Sequence, residues 1–326
     1  MKSEANTVVL VSPAMAESNS GNWHTAKRWA QFLSDDCDIA LRSQWLCASQ
    51  DPAARALIAL HARRSAPSIQ AWARQCPGKP LIVVLTGTDL YRDIHVDASA
   101  WQSLALASHL VVLQEAALDE LPPAFRSKAQ VIYQSAPALK PAIKAAQRLR
   151  ALFVGHLRDE KDPLTYLRAA ARLSQTALAD SMRFDLIGRA LEPRWADAAS
   201  TAQASLPHCH WWGDLPRART RQHIKRAHVL VNSSLMEGGA QVILEAVQSG
   251  TPVLASRISG NLGMLGADYA GYFAAGDDAA LAQLLRRCAT EHGFLALLEK
   301  QCSLRAPLFS PNEEKRRVIN LASIRL

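Results

Sequence analysis

Two glutamates, Glu237 and Glu245, are separated by seven residues, with Gly238 and Gly239 directly after the first. Both lie in the stretch Asn232 to Gly250, which begins where the β-rich run His228–Val231 ends. Gly238 and Gly239, followed by Ala240, are expected to open a helix. Glycines ahead of a helix leave bare amide groups at its positive end, and that end suits a diphosphate. On this helix Val242, Ile243, Ala246, Val247 and Gly250 share one face, and Gln241, Glu245 and Gln248 fall on the opposite one. A carboxylate accepts hydrogen bonds from two vicinal hydroxyls at once, which fits sugar chemistry. Taken singly, Glu245 reads as a solvated side chain and Glu237 as a complement to a helix start.

A basic segment follows another apolar run: Gly155-His156-Leu157-Arg158-Asp159-Glu160-Lys161. Arg158 alone is equally read as part of an exposed loop. The amino-terminal half offers four more such segments. Gly21, just before a helix with Asn22 and Thr25, can bring backbone amides to a phosphate. His61, Arg63 and Arg64 lie at a strand end and helix start, where cations are disfavoured unless an anion is near. His61 is equally read as a satisfied, partly buried histidine. Thr88, Asp89 and Arg92 sit in Leu85-Thr86-Gly87-Thr88-Asp89-Leu90-Tyr91-Arg92-Asp93, and Ser135 in Val131-Ile132-Tyr133-Gln134-Ser135-Ala136. Arg63, Arg64 and Arg92 together offer a fork geometry for an oxyanion that Lys cannot match.

The elements that must position these residues alternate from end to end. Strand candidates are 7–11, 38–41, 56–60, 81–85, 110–113 and 130–133, with helical patterns at 25–33, 65–75 and 99–107 between them. Continuous apolar strands interleaved with helices argue for doubly wound α/β architecture. The rhythm breaks at Gln134–Arg150, which holds Pro137 and Pro141, and restarts with strands at 151–154, 183–187, 210–212, 228–231, 252–255 and 269–273. Two Rossmann-like domains facing a cleft are expected: residues 1–140 with a final helix over 311–326, and residues 146–310. Ser310-Pro311 followed by Glu313 and Glu314 starts that final helix, whose apolar face is Val318, Leu321, Ala322 and Ile324. Open α/β sheets bind ligands at the carboxyl ends of their strands, where the segments above fall.

At 326 residues, with 49% hydrophobic and 20% charged residues, the chain suits two folded cores rather than disorder. Its net charge of +8 favours anionic partners. A basic helix with base-reading spacing and an aromatic-rich strand motif are both missing, so a nucleic-acid-binding module is a remote reading. The six cysteines form no C-x-x-C pair. Met1–Leu10 does not read as a signal peptide, and no apolar run reaches the ~20 residues of a spanning helix. A cytoplasmic protein without membrane contact is expected.

The stretch from Glu237 to Glu245 resembles the signature of the retaining, glycogen-synthase-like GT-B glycosyltransferases, as do Gly250 to Ser256 and Ser259-Gly260-Asn261. The resemblance implies that Glu237 contacts the donor sugar hydroxyls and Glu245 the ribose hydroxyls. The segment 153–161 resembles the same class's Gly-Arg-Leu and Glu-Lys segment, whose cations neutralise the donor diphosphate. Lys161 matches directly; His156 stands in the usual arginine position and Arg158 two positions later, so which of the two assists is open. The four amino-terminal segments, with this half, resemble the selenosugar synthase family of selenoneine biosynthesis. That resemblance implies a UDP-hexose donor, UDP-N-acetylglucosamine or UDP-glucose, with selenophosphate as acceptor. It also implies a carbon–selenium bond at the anomeric carbon as the outcome. The implied donor site is Gly155, His156, Gly238, Gly239, Ala240, Glu245 and Asn261 around Glu237, Lys161 and Arg158. The implied acceptor site is Gly21, Asn22, Thr25, His61, Arg63, Arg64, Thr88, Asp89, Arg92 and Ser135. No metal or other cofactor is expected, and a transient contact with a selenophosphate-supplying enzyme is conceivable. The residues alone carry the reading only to a sugar donor and an anionic acceptor. The rival reading is a glycosyltransferase with a conventional hydroxyl or thiol acceptor, for which Trp23, Trp29, Trp45, Trp72 and Trp101 are the stacking candidates, although core roles suit most of them better.

Overall fold

A computed structural model describes residues 6–13 and 21–323. Residues 1–5, Ser20 and Ile324 lie outside the described residues. The chain divides into two compact units, one of residues up to Gln134 with those from Pro311, the other Ser135–Ser310. The boundary thus falls earlier than the expected 140–146. The connecting segment is bonded into the second unit: Leu139 N donates to Gln248 O (2.8 Å) and Lys144 Nζ to Lys225 O (2.8 Å). Arg221 Nη2 donates to Pro137 O (2.7 Å). Ser135, expected among the acceptor residues of the first domain, therefore goes with the second unit.

In the first unit six strands form one parallel sheet: β1 (Thr7–Val11), β2 (Asp38–Arg42), β3 (Ala54–Leu60), β4 (Leu81–Val84), β5 (His109–Val112) and β6 (Ala129–Val131). Their order is β2-β1-β3-β4-β5-β6, so the direction of winding reverses between β1 and β3. The helices are α1 (Gly21–Leu33), α2 (Ala66–Gln75), the short α3 (Ile94–Val96), α4 (Ala98–Leu106), and the single turns α5 (Ala117–Glu120) and α6 (Pro123–Arg126). The sheet carries a core on each face. Trp45, Trp72, Leu57 and Leu110 fill one; Trp29, Leu33, Leu10 and Ile58 fill the other. Val318 and Leu321, from the final helix Pro311–Ala322, complete that second core. The buried carboxylate of Glu314 fastens the helix there, accepting from Arg28 (2.7 and 2.9 Å) and from Trp29 Nε1 (2.7 Å). Trp29, Trp45 and Trp72 are wholly buried, which removes them as stacking surfaces for an acceptor.

The second unit has its own six-stranded parallel sheet: β7 (Leu149–Val154), β8 (Met182–Ile187), β9 (Cys209–Trp211), β10 (Val229–Asn232), β11 (Val253–Ser256) and β12 (Tyr272–Phe273). The order β12-β11-β10-β7-β8-β9 is that of a dinucleotide-binding fold, with its switch point between β7 and β10. The last strand is shorter than the expected 269–273: the chain before it is in a turn, with Tyr269 N donating to Gly266 O (3.4 Å), and the Tyr269 hydroxyl bonds the backbone of Val253. The helices are α7 (Pro163–Ser174), α8 (Pro193–Ser205), α9 (Arg217–Arg226), α10 (Gln241–Val247), α11 (Ser259–Leu265), α12 (Asp278–Thr290) and α13 (Phe294–Arg305); the final helix, Pro311–Ala322, is α14. No helix among the described residues is long and apolar enough to cross a membrane.

Candidate active site

In the second unit the loops after β7 and β10 meet at the switch point. Asp162 turns the chain out of the β7 loop in a left-handed conformation (φ 41°) and caps α7 by accepting from Thr165 N. Ser233 Oγ donates to the carbonyls of Lys161 (3.1 Å) and Asp162 (2.8 Å), tying the β10 loop to this turn. The result is a salt bridge between Lys161 Nζ and Glu237 Oε1, residues 76 apart in sequence. Ser234 Oγ (2.6 Å) and Asn232 Nδ2 (3.4 Å) donate to the same carboxylate. Burial works to raise the Glu237 carboxyl, but Lys161 and these donors outweigh it and hold it below the usual range. The lysine stem crosses Gly155, where an added Cβ would lie 3.5 Å from it.

Gly238, Gly239 and Ala240 form the turn between Glu237 and α10, with Ala240 as the N-cap; the helix begins at Gln241, later than expected. The two-faced helix is also corrected. Every residue from Val242 to Val247 is buried, Glu245 included, because α9 and α13 pack on a helix that also lies on the sheet. Glu245 is paired with Arg217, whose Nε and Nη2 each lie 2.8 Å from Oε1. Asn261 is fully buried and braces the site from behind, its Nδ2 donating to Asn232 Oδ1 (3.1 Å) and Ser256 O (2.9 Å). Gly260 lets α11 approach, since a Cβ there would sit 2.0 Å from Glu237 O.

His156 is half-buried and accepts from Arg189 N at Nδ1 (3.4 Å), which leaves its proton on Nε2. Burial lowers its pKa; Asp214 works against that, and Arg189, Arg158 and Lys161 add to the lowering. His156 is thus a neutral group among cations. Arg158 Nε lies 3.6 Å from Glu160 Oε2 and its side chain is partly exposed. Gly188 makes room for the β7 loop: a Cβ would lie 1.9 Å from Gly155 O. Arg189, Arg217, Asn232 and Ser234 were not among the sequence candidates. Arg189 carried a readable signal, a cation one residue past a strand end, after Gly188.

The first unit gathers a different set. His61 holds a left-handed backbone (φ 72°) at the end of β3. Its Nδ1 accepts from Arg64 N (3.3 Å) and its Nε2 lies 3.1 Å from Thr88 Oγ1. Burial lowers its pKa; Asp89 works against that and Arg64 adds to the lowering. Asp89 is fully buried and accepts from Ala62 N (2.9 Å), Thr86 N (2.9 Å) and Gly87 N (2.8 Å). Its carboxylate is spent on the loops, so it shapes the site rather than facing a ligand. Arg63 and Arg92 converge on Asp93, a residue outside the sequence candidates. Thr25 is also internal, donating to Gly21 O (2.9 Å) and accepting from Gln134 Nε2. Asn22 is half-buried and Gly21 exposed at the start of α1.

Residues 139–300, nearly the whole second unit, match the family Glycosyl transferases group 1. The second unit is similar to the group 1 glycosyl transferases over nearly its whole length. Glycosyltransferase 1 domain-containing protein 1 of Xenopus tropicalis is 31% identical over 105 residues, 32% of this chain; the chain spans 30% of that curated relative. Among solved structures, sucrose-phosphate synthase from Thermosynechococcus elongatus superposes with a TM-score of 0.77 at 14% identity, covering 97% of this chain and 98% of that one. Anabaena HepE in complex with UDP-glucose gives 0.73 at 14% identity, covering 98% and 100%. At such identities the likeness is one of fold, and it extends the GT-B fold beyond the second unit to almost the full chain.

Proposed function

We propose that the protein is a UDP-sugar-dependent selenosugar synthase. It transfers a hexose, N-acetylglucosamine or glucose, from UDP to selenophosphate. The observation that carries the transferase part is the Lys161–Glu237 pair at the switch point of a unit that matches the group 1 family. The UDP-glucose bound in the HepE structure supports a UDP-sugar donor. Glu237 takes the sugar hydroxyls, Glu245 the ribose, and Lys161 with Arg158 the diphosphate, on which charge grows as the bond breaks. Neutral His156 suits a hydrogen-bond donor better than a counter-charge, so Arg158 is the assisting cation. The selenium lone pair forms the new bond to the anomeric carbon as the bond to UDP oxygen breaks, and UDP leaves with the electron pair. Water then cleaves selenium from phosphorus, releasing phosphate. Ionised selenium needs no general base, so positioning and leaving-group stabilisation carry the rate.

The selenophosphate assignment rests on the sequence segments around Gly21, His61, Thr88 and Ser135, and on the arginines Arg63, Arg64 and Arg92 clustered after β3 and β4. A conventional carbohydrate acceptor is the second reading, favoured by Trp101, which is 46% exposed and stands edge-on to Phe125. The test is to incubate the protein with UDP-N-acetylglucosamine or UDP-glucose, with and without selenophosphate, and to follow UDP release and product mass. UDP release dependent on selenophosphate, with a selenium-containing sugar formed, is the expected result. Turnover only with hydroxyl or thiol acceptors would replace the selenium reading by the second one.

A further inference from the structure

Two arginines of the first unit, Arg63 and Arg92, are held in place by Asp93, the last residue of a segment read from the sequence but not one of its candidate ligands. After β4 the chain winds into a π-helical turn, Asp89–Asp93, a wider coil than an α-helix and one that recurs at functional sites. Its two aspartates, four residues apart, both reach the loop after β3 but bind different things. Asp89 takes backbone amides only. Asp93 takes guanidinium groups: its Oδ2 accepts from Arg63 Nε (2.8 Å) and its Oδ1 from Arg92 Nε (3.1 Å). Asp93 is 3% exposed, whereas the Arg63 and Arg92 side chains are 39% and 49% exposed. Each arginine thus spends its Nε–H on the buried carboxylate. Among the described residues no hydrogen bond occupies the Nη groups of either.

We infer that Asp93 is a positioning residue for a tetrahedral-oxyanion site, aligning Arg63 and Arg92 so that their Nη groups can grip one phosphate-class anion. The inference rests on the acceptor site proposed above but needs no selenium. Two unrestrained arginines must lose many rotamers when they close on an anion; two arginines already locked on Asp93 have fewer left to lose. Burial raises the Asp93 carboxyl, and the two guanidiniums outweigh it, so the carboxylate stays ionised with the site empty. His61 Nε2, 4.0 Å from Asp93 Oδ2, and the exposed Arg64 complete the surroundings.

Electrostatics and orientation pull in opposite directions, which makes the sign of the effect decisive. Replacing Asp93 by a neutral side chain makes the surroundings of Arg63 and Arg92 more positive and on charge alone would tighten anion binding. Loss of alignment weakens it, and the inference requires alignment to win. Inorganic phosphate binding to the full chain, read by calorimetry, should weaken about tenfold in Asp93→Asn. The same change made in an Arg63→Lys background should cost less, because the two residues act as one unit. The Michaelis constant for UDP-sugar should not move. Should Asp93→Asn fail to fold, Asp93→Glu shifts the carboxylate by one methylene at constant charge and must also weaken phosphate binding. Equal or tighter binding in the folded variant, or strict additivity with Arg63→Lys, overturns the inference alone. No phosphate binding by the unchanged protein overturns the anion site and this inference together. Phosphate binding that weakens as expected in a protein that never uses selenophosphate leaves the inference standing and removes only the acceptor's identity.

Discussion

The two units build their sites from the same scaffold with the charges turned round. Each has a six-stranded parallel sheet with a reversal of winding, β1/β3 in one and β7/β10 in the other, and each places its polar residues in loops at the carboxyl ends of strands, after β3 and β4 in the first and after β7 and β10 in the second. In the second unit a cation, Lys161, braces a carboxylate, Glu237. In the first unit a carboxylate, Asp93, braces the cations Arg63 and Arg92. A doubly wound sheet fixes where a site lies and leaves its sign to a few loop residues.

The largest way to break this comparison is to remove the presented group of the second unit. Glu237→Ala should cut turnover by about a thousandfold, measured as UDP release, with the fold kept. Near-normal activity would mean the Lys161 pair is structural. In the first unit no single arginine carries that weight. Arg63→Ala or Arg92→Ala should raise the Michaelis constant for the anionic acceptor about tenfold and leave that for the donor in place. A donor effect of equal size would merge the two sites' roles.

Glycines sharpen the contrast next. Gly188→Ala puts a Cβ 1.9 Å from Gly155 O at φ 143° and should cost roughly 1–3 kcal/mol in urea unfolding. Gly21→Ala meets nothing within 4 Å among the described residues and should leave stability within about 0.5 kcal/mol. A similar loss in both would show that the β7 loop is less tightly shaped than its geometry requires. The smallest effect concerns pH. His61 and His156, one in each unit, are pushed below their ordinary pKa by burial first. The unfolded chain therefore takes up protons sooner, so stability is full above about pH 6.5 and declines as pH falls below it. Melting temperatures between pH 8 and 5 should show that decline, and His61→Gln should shrink it.

Most strands were legible because parallel strands are apolar throughout, and β1 matches the expected 7–11. Lys161 and Glu237 were legible because both follow strand ends within recognisable segments. Asp93 was not: it sits beside Arg92 in sequence, but its second partner, Arg63, is 30 positions away, and only the fold brings them together. Glu245 misled for a related reason. Helical periodicity assumes one open face, and α10 has none. The tryptophans follow the expectation that most are core residues, since Trp29, Trp45 and Trp72 fill the first unit's core.

The Glu314 clamp has a consequence for biosynthesis. The amino-terminal sheet leaves the ribosome first, yet one of its faces, covered by α1 alone, stays incomplete until α14 is made, after the whole second unit. Trp29 and Arg28 must wait for a carboxylate more than 280 residues downstream. The half translated first is completed last, and a nascent chain stalled after Ser310 exposes an oily surface for chaperones to guard.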